Sequence, residues 1–167
     1  VWMVNVHASG GGAMLRAARA AANEEAARRS RPSPLVIAVT MLTSLDQAAL
    51  TKIGMPDAVA AQVERLAALT EASGLDGVVA SPQEIAIIRR RCGKQFAIVT
   101  PGIRSSGDQQ VRGGGGSGRS VNDDQKRTMS AADAIAAGAT FLVVGRPIIA
   151  AADPRAAALR IADECRR

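Results

Sequence analysis

Five short apolar runs, each followed by a turn marked with glycine, serine or proline and then by a helix-forming segment, constrain this chain more than any other feature. They are VWMVNV at 1–6, LVIAVT at 35–40, GVVA at 77–80, FAIV at 96–99 and FLVV at 141–144. Runs that stay apolar on both sides suit a parallel sheet whose faces are both covered by helices. The alternation therefore predicts five consecutive βα units in a single domain over residues 1–167, with a parallel sheet that is either doubly wound or part of a (β/α)8 barrel. The first run reads as a buried strand with no lead-in, so the chain is expected to be a fragment or a processed product.

The punctuation between the runs sets the helices. HASGGG at 7–12 leads into an alanine-rich helix from about Ala13 to Arg29, and Ser30 to Pro34 forms the connector to the second strand. Ser44 reads either as the N-cap of a short helix near Asp46 or as a ligand contact. A longer helix from Asp57 to Ser73 places Val59, Val63, Leu66 and Leu69 or Thr70 on one face, with Gly74 closing it. Ser81-Pro82-Gln83-Glu84 has the form of a capping box with proline at the first helical position, and Gly93 stops the helix that follows. Ser130 and Gly138 bracket the next helix, and Asp153-Pro154 opens the last.

Composition narrows the function. Apolar residues make up 47% of the 167, while aromatics are 2% with no tyrosine. The core must then be built from Ala, Val, Leu and Ile, and stacking platforms for nucleic-acid bases are not expected. The net charge of +6 would suit a polyanion, an anionic membrane surface or a phosphorylated metabolite. Much of it lies in Arg28-Arg29-Ser30-Arg31 and Arg89-Arg90-Arg91, where helices end and cations complement the helix dipole, so both runs read as solvated helix ends. Cys92 and Cys165 are too few for a disulfide framework or a metal site, and no signal peptide or bilayer-length apolar run occurs. The expectation is a cytoplasmic protein that binds neither nucleic acid nor membrane.

In parallel α/β folds ligands bind at the C-terminal ends of the strands. Here those ends carry HASG, Thr43-Ser44, Ala80-Ser81, Pro101-Gly102-Ile103-Arg104 and Gly145-Arg146. A strand ending in Pro-Gly and then presenting an arginine brings backbone amides and a guanidinium close to an anion. The last two ends each pair a glycine with an arginine, the pattern of the phosphate site that barrels build after strands seven and eight. If these are those strands, three βα units stand before Val1. His7, the sole histidine, has either a structural role in its loop or a catalytic one. The segment 105–128 contains GGGGSG and reads as a mobile lid or an inserted linker. No Ser-His-Asp order, metal-ligand cluster, Walker motif or Rossmann glycine pattern appears.

Taken together, VNVHASGG, IAVTMLTS, GLDGVVAS, VTPGIR, DQKRTM and VVGRPI resemble the orotidine 5'-phosphate decarboxylase family, in the family's order and over nearly the whole chain. The resemblance implies a homodimeric (β/α)8 barrel, of which this chain is the C-terminal two thirds. It further implies conversion of orotidine 5'-phosphate (OMP) to UMP in pyrimidine synthesis without a cofactor. Arg104, Gln125, Gly145 and Arg146 would form the phosphate end of the site, and Thr43 with Ser44 would contact the pyrimidine. The family's catalytic D-x-K-x-x-D segment does not occur here, so no catalytic residue is assigned and the chain alone is expected to be inactive. The 105–128 segment is about a dozen residues longer than is usual in the family. Two other readings remain open: another phosphate-binding barrel enzyme, such as a sugar-phosphate decarboxylase or epimerase, and a non-enzymatic partial barrel that assembles with itself or with a complement.

Overall fold

The computed structural model describes residues 1–55, 58–104 and 128–166. Strands β1 (Met3–His7), β2 (Leu35–Val39), β3 (Gly77–Val79) and β4 (Ala97–Thr100) are followed by two short ones, β5 (Ile103–Arg104) and β6 (Met129–Ser130), and by β7 (Phe141–Leu142). The helices are α1 (Gly11–Arg28), α2 (Gln47–Lys52), α3 (Val59–Ala72), α4 (Ile85–Cys92), α5 (Ala131–Ala137), α6 (Arg146–Ile149) and α7 (Pro154–Glu164). All five expected βα units are present.

The main sheet is parallel throughout, in the order β1-β2-β3-β4-β7. Each new strand is added on the same side as the last, without the reversal of direction that defines a doubly wound sheet. A flat sheet would hold β1 and β7 about 19 Å apart, four strand spacings of about 4.8 Å. Yet the rings of Trp2, just before β1, and Phe141, in β7, have centroids 5.2 Å apart and are inclined at 59°. The sheet is therefore strongly curled, and the two alternatives left open by the sequence resolve in favour of a barrel-like arc.

The register places Val36, Ala38, Val78 and Ile98 toward the helices, where they join Leu15, Val63, Leu66, Ile85 and Ile88 in the main core. Val63, Leu66 and Thr70 of α3 are buried as the helical spacing predicts. Ile37, Gly77 and Ala97 form one layer on the opposite, concave face, and His7, Val39, Val79, Val99 and Phe141 form the next. Gly77 permits the closest approach in this layer. A Cβ added there would stand 2.6 Å from Ala97 Cβ and 2.8 Å from its carbonyl carbon, and nearer still to the carbonyl oxygen.

Four details depart from expectation. β1 is not a buried strand: Val4 and Asn5 are exposed, because among the described residues β1 pairs on one side only, with β2. The cap of α2 is Asp46, whose Oδ1 accepts from Ala49 N at 2.9 Å, while Ser44 lies exposed in the turn before it. Ser81 caps as expected, accepting from Gln83 N at 3.3 Å with Pro82 next to it, but the turn it opens over Pro82–Glu84 ahead of α4 is 3-10 in form. Arg89 is not a solvated helix end, for its guanidinium is enclosed by backbone carbonyls.

Candidate functional site

β4 and β7 are adjacent, with Val99 opposite Phe141 and Thr100 opposite Leu142, and Val143 N donates to Thr100 O at 2.9 Å. Arg104 stands four residues beyond Thr100 and Arg146 four beyond Leu142. The two loops thus leave neighbouring strands at the same level, each carrying one arginine. Both arginines are half-buried.

After β4, Pro101 and Gly102 turn the chain. Gly102 has φ +80°, the left-handed region that glycine enters without steric cost and that the third position of a type II turn requires. The turn delivers Ile103 into the core and Arg104 to the rim, where the Arg104 guanidinium donates to Ile103 O at 3.3 Å. β5 then pairs in parallel with β6, placing Ile103 opposite Met129 and Arg104 opposite Ser130. Ser130 in turn caps α5, accepting from Asp133 N at 3.1 Å and donating to Asp133 Oδ2 at 2.6 Å. Arg104 is held between a buried isoleucine and a capped helix, so its position follows from the surrounding packing. This two-stranded ladder has no clear sequence signal, since two-residue strands are too short to show periodicity; the one hint is the Ser130 cap.

After β7, Val143 and Val144 lead to Gly145, which is exposed with open space around its Cα. Gly145 O accepts from Ile148 N at 2.9 Å, closing the first turn of α6, whose first residue is Arg146.

The other strand ends carry hydroxyls. Thr40 Oγ1 donates to Val79 O at 2.9 Å, Thr43 is buried, and Ser44 is exposed two residues before the α2 cap. Thr100 is wholly buried, and its hydroxyl has no hydrogen-bond partner among the described residues. His7 is exposed at the end of β1. Thr43, Ser44, Arg104, Gly145 and Arg146 therefore all lie beyond the C-terminal ends of three strands, β2, β4 and β7. Gln125 and the 105–127 stretch lie outside the described residues. Among the described residues no group of three His, Cys, Asp or Glu side chains could hold a metal ion. A groove of about 510 Å³ is lined by Leu45, Asp46 and Gln47 together with residues of α3 and α4, among them Val59, Ile87 and Arg90.

Known proteins resemble this chain in sequence and fold. An orotidine 5'-phosphate decarboxylase from Moorella thermoacetica is 54% identical over 163 residues, 97% of this chain and 60% of that protein. One from Neisseria gonorrhoeae is 50% identical over 154 residues, covering 92% of this chain and 56% of its own length. The chain thus spans about 60% of the length of these relatives. Among solved structures, orotidine 5'-phosphate decarboxylase from Lactobacillus acidophilus superposes with a TM-score of 0.76 at 30% identity, over 100% of this chain and 64% of that one. The curled, singly wound sheet is accordingly an arc of a (β/α)8 barrel, five of its βα units. A family model described as orotidine 5'-phosphate decarboxylase / HUMPS matches residues 1–161, nearly the whole chain, and the chain belongs to this family.

Proposed function

We propose that this chain carries the phosphate-binding and pyrimidine-binding strand ends of a cytoplasmic, homodimeric orotidine 5'-phosphate decarboxylase, which converts OMP to UMP and CO2. The observation that carries the reading is the level emergence of Arg104 and Gly145-Arg146 from the paired strands β4 and β7. Two guanidiniums on adjacent loops suit a phosphate dianion, which accepts charge-assisted hydrogen bonds from both. Gln125 completes that end of the site in this reading, and Thr43 and Ser44 meet the pyrimidine from the end of β2. Grip on the remote phosphate serves the chemistry because binding energy realised there can stabilise the transition state at the ring. The carbon that loses CO2 must also gain a proton, which needs a positioned donor. No residue of this chain is assigned that role; the D-x-K-x-x-D segment that supplies it in the family does not occur in these 167 residues. No helix among the described residues is long and apolar enough to cross a membrane, which is compatible with the proposed location.

Titration calorimetry with UMP and with a sugar phosphate tests the assignment. UMP is expected to bind and the sugar phosphate to bind more weakly. Arg104→Ala should weaken UMP binding by about 1.5–3 kcal/mol, the worth of a hydrogen bond to a charged group, or roughly 10- to 150-fold. An unchanged affinity in that variant, or preference for the sugar phosphate, would overturn the reading. Decarboxylation on adding a segment that bears D-x-K-x-x-D is the expected functional result, and sedimentation tests the dimer.

A further inference from the structure

The geometry points to Arg89 as a positioning residue that sets the register of β4 against β7 and thereby the spacing of the two arginine loops, an inference that rests on the phosphate reading above. The β4:β7 ladder is short, with two residue pairs in register. What precedes it is held by side chains. Thr140 N donates to Ile98 O at 2.8 Å, and Ile98 N donates back to the Thr140 hydroxyl at 3.1 Å, so a side-chain oxygen replaces a backbone carbonyl at this step.

Arg89 fixes that hydroxyl. Its Nη2 donates to Thr140 Oγ1 at 2.9 Å and to Gly138 O at 2.6 Å, and its Nε donates to Gly138 O at 2.8 Å. Its Nη1 donates to Gly93 O at 3.0 Å and to Phe96 O, with Lys94 O at 3.4 Å. One guanidinium therefore joins the end of α4, the residue leading into β4, the end of α5 and the residue leading into β7. Gly138 and Gly93 are the residues that terminate α5 and α4, so the cation also meets the negative ends of two helix dipoles. Partial burial lowers the Arg89 pKa from its ordinary value, though a guanidinium keeps its charge in proteins.

The consequence reaches the opposite end of the strands. A one-residue slip between parallel strands would turn Phe141 to the wrong face, so the accessible error is a slip of two. That slip would carry Arg146 about 6.6 Å along the strand relative to Arg104, enough to break a shared grip on one phosphate. Arg89 and Thr140 hold against it from the N-terminal side, while the ligand is met at the C-terminal side.

Arg89→Lys tests this, because it keeps the charge and loses the planar fork. Thr140→Val is the milder companion, removing only the hydroxyl, and Val63→Ala in α3 controls for general loss of stability. Amide hydrogen exchange is followed at Thr140 and Val143, and UMP affinity by calorimetry, at a temperature where every variant is folded. Exchange at these two amides should rise at least 10-fold in Arg89→Lys and Thr140→Val but not in Val63→Ala, and UMP affinity should fall at least 10-fold in the first two. Unchanged exchange at Thr140 and Val143 would overturn the inference, as would faster exchange with UMP affinity intact. If the unmodified chain takes no UMP, the proposed function falls, and exchange at Val143 still decides whether Arg89 sets the register.

Discussion

Gly77→Ala isolates the tightest contact in the sheet. Gly77 pairs with Ile37 on one side and Ala97 on the other, and a methyl group there would enter the space of Ala97, backbone included. A flexible side chain could swing aside; a carbonyl in a ladder cannot, so β3 and β4 must separate. Overpacking of this kind costs about 1–3 kcal/mol. Against it stands about 0.4–1 kcal/mol gained because alanine restricts the unfolded chain. The net expectation is a loss of about 1.3 kcal/mol, which for a chain of this size lowers Tm by about 3–5 °C. Thermal unfolding followed by circular dichroism reads it directly. Gly74→Ala supplies the contrast. Gly74 has φ +78° with nothing within 4 Å of an added Cβ, so its loss of about 1–2 kcal/mol is purely conformational. The double variant Gly77→Ala, Ala97→Gly removes the methyl–methyl clash and leaves the carbonyl, so it should recover only part of the lost stability. A Tm for Gly77→Ala within 1 °C of the parent, or full recovery in the double variant, would refute the steric account.

Thr100→Val should hold or raise stability, by up to about 1–2 kcal/mol, since it removes a buried hydroxyl that has no partner among the described residues and keeps the shape; a clear drop in Tm would mean the hydroxyl is satisfied. The Cys92 thiol is pushed up to about 11, first by burial and then by Glu71. Only the thiolate reacts, so at pH 8 about a thousandth is reactive, and alkylation of Cys92 by iodoacetamide should rise about tenfold per pH unit and level off only near pH 11. Mass spectrometry across pH checks this, and rapid labelling at pH 8 would contradict the buried setting. Asp76→Ala should cost about 1–3 kcal/mol, because it strips Arg19 of its ion-pair partner and leaves Val36 N, which donates to Asp76 Oδ2 at 2.6 Å, unsatisfied; denaturant unfolding measures the loss.

Much of this architecture is legible in the residues. The apolar runs give all five sheet strands, because a strand covered on both faces must be apolar on both. Gly74, Gly93 and Gly138 mark helix ends through their positive φ values, a demand that falls on one residue and is visible as glycine. Arg104 and Arg146 stand out because Pro-Gly and Gly flank them at strand ends. What is hidden depends on long-range contact. The exposure of β1 follows from its place at the end of the sheet, which hydropathy does not encode. The choice of Asp46 over Ser44 as the α2 cap is a matter of where the chain bends, with both residues chemically able to cap. Arg89 is indistinguishable in sequence from Arg90 beside it; the carbonyl cage that separates them is assembled from residues as far away as Thr140, 51 positions on.

The agreement between strand order in the sheet and strand order in the chain bears on how the molecule is built in time. Within the five-stranded sheet each strand pairs with the sheet strand that precedes it in the chain, and the contacts span modest separations, Val36 meeting Asp76 across 40 residues and Ile98 meeting Thr140 across 42. Among the described strands of this sheet, none waits for a partner more than one sheet strand away. As the polypeptide leaves the ribosome, each βα unit can dock on an edge already in place, so assembly is vectorial and the growing edge advances with translation. Under that order β7 arrives last of the described strands, and the arginine-bearing rim is completed only once β7 and Arg146 have emerged.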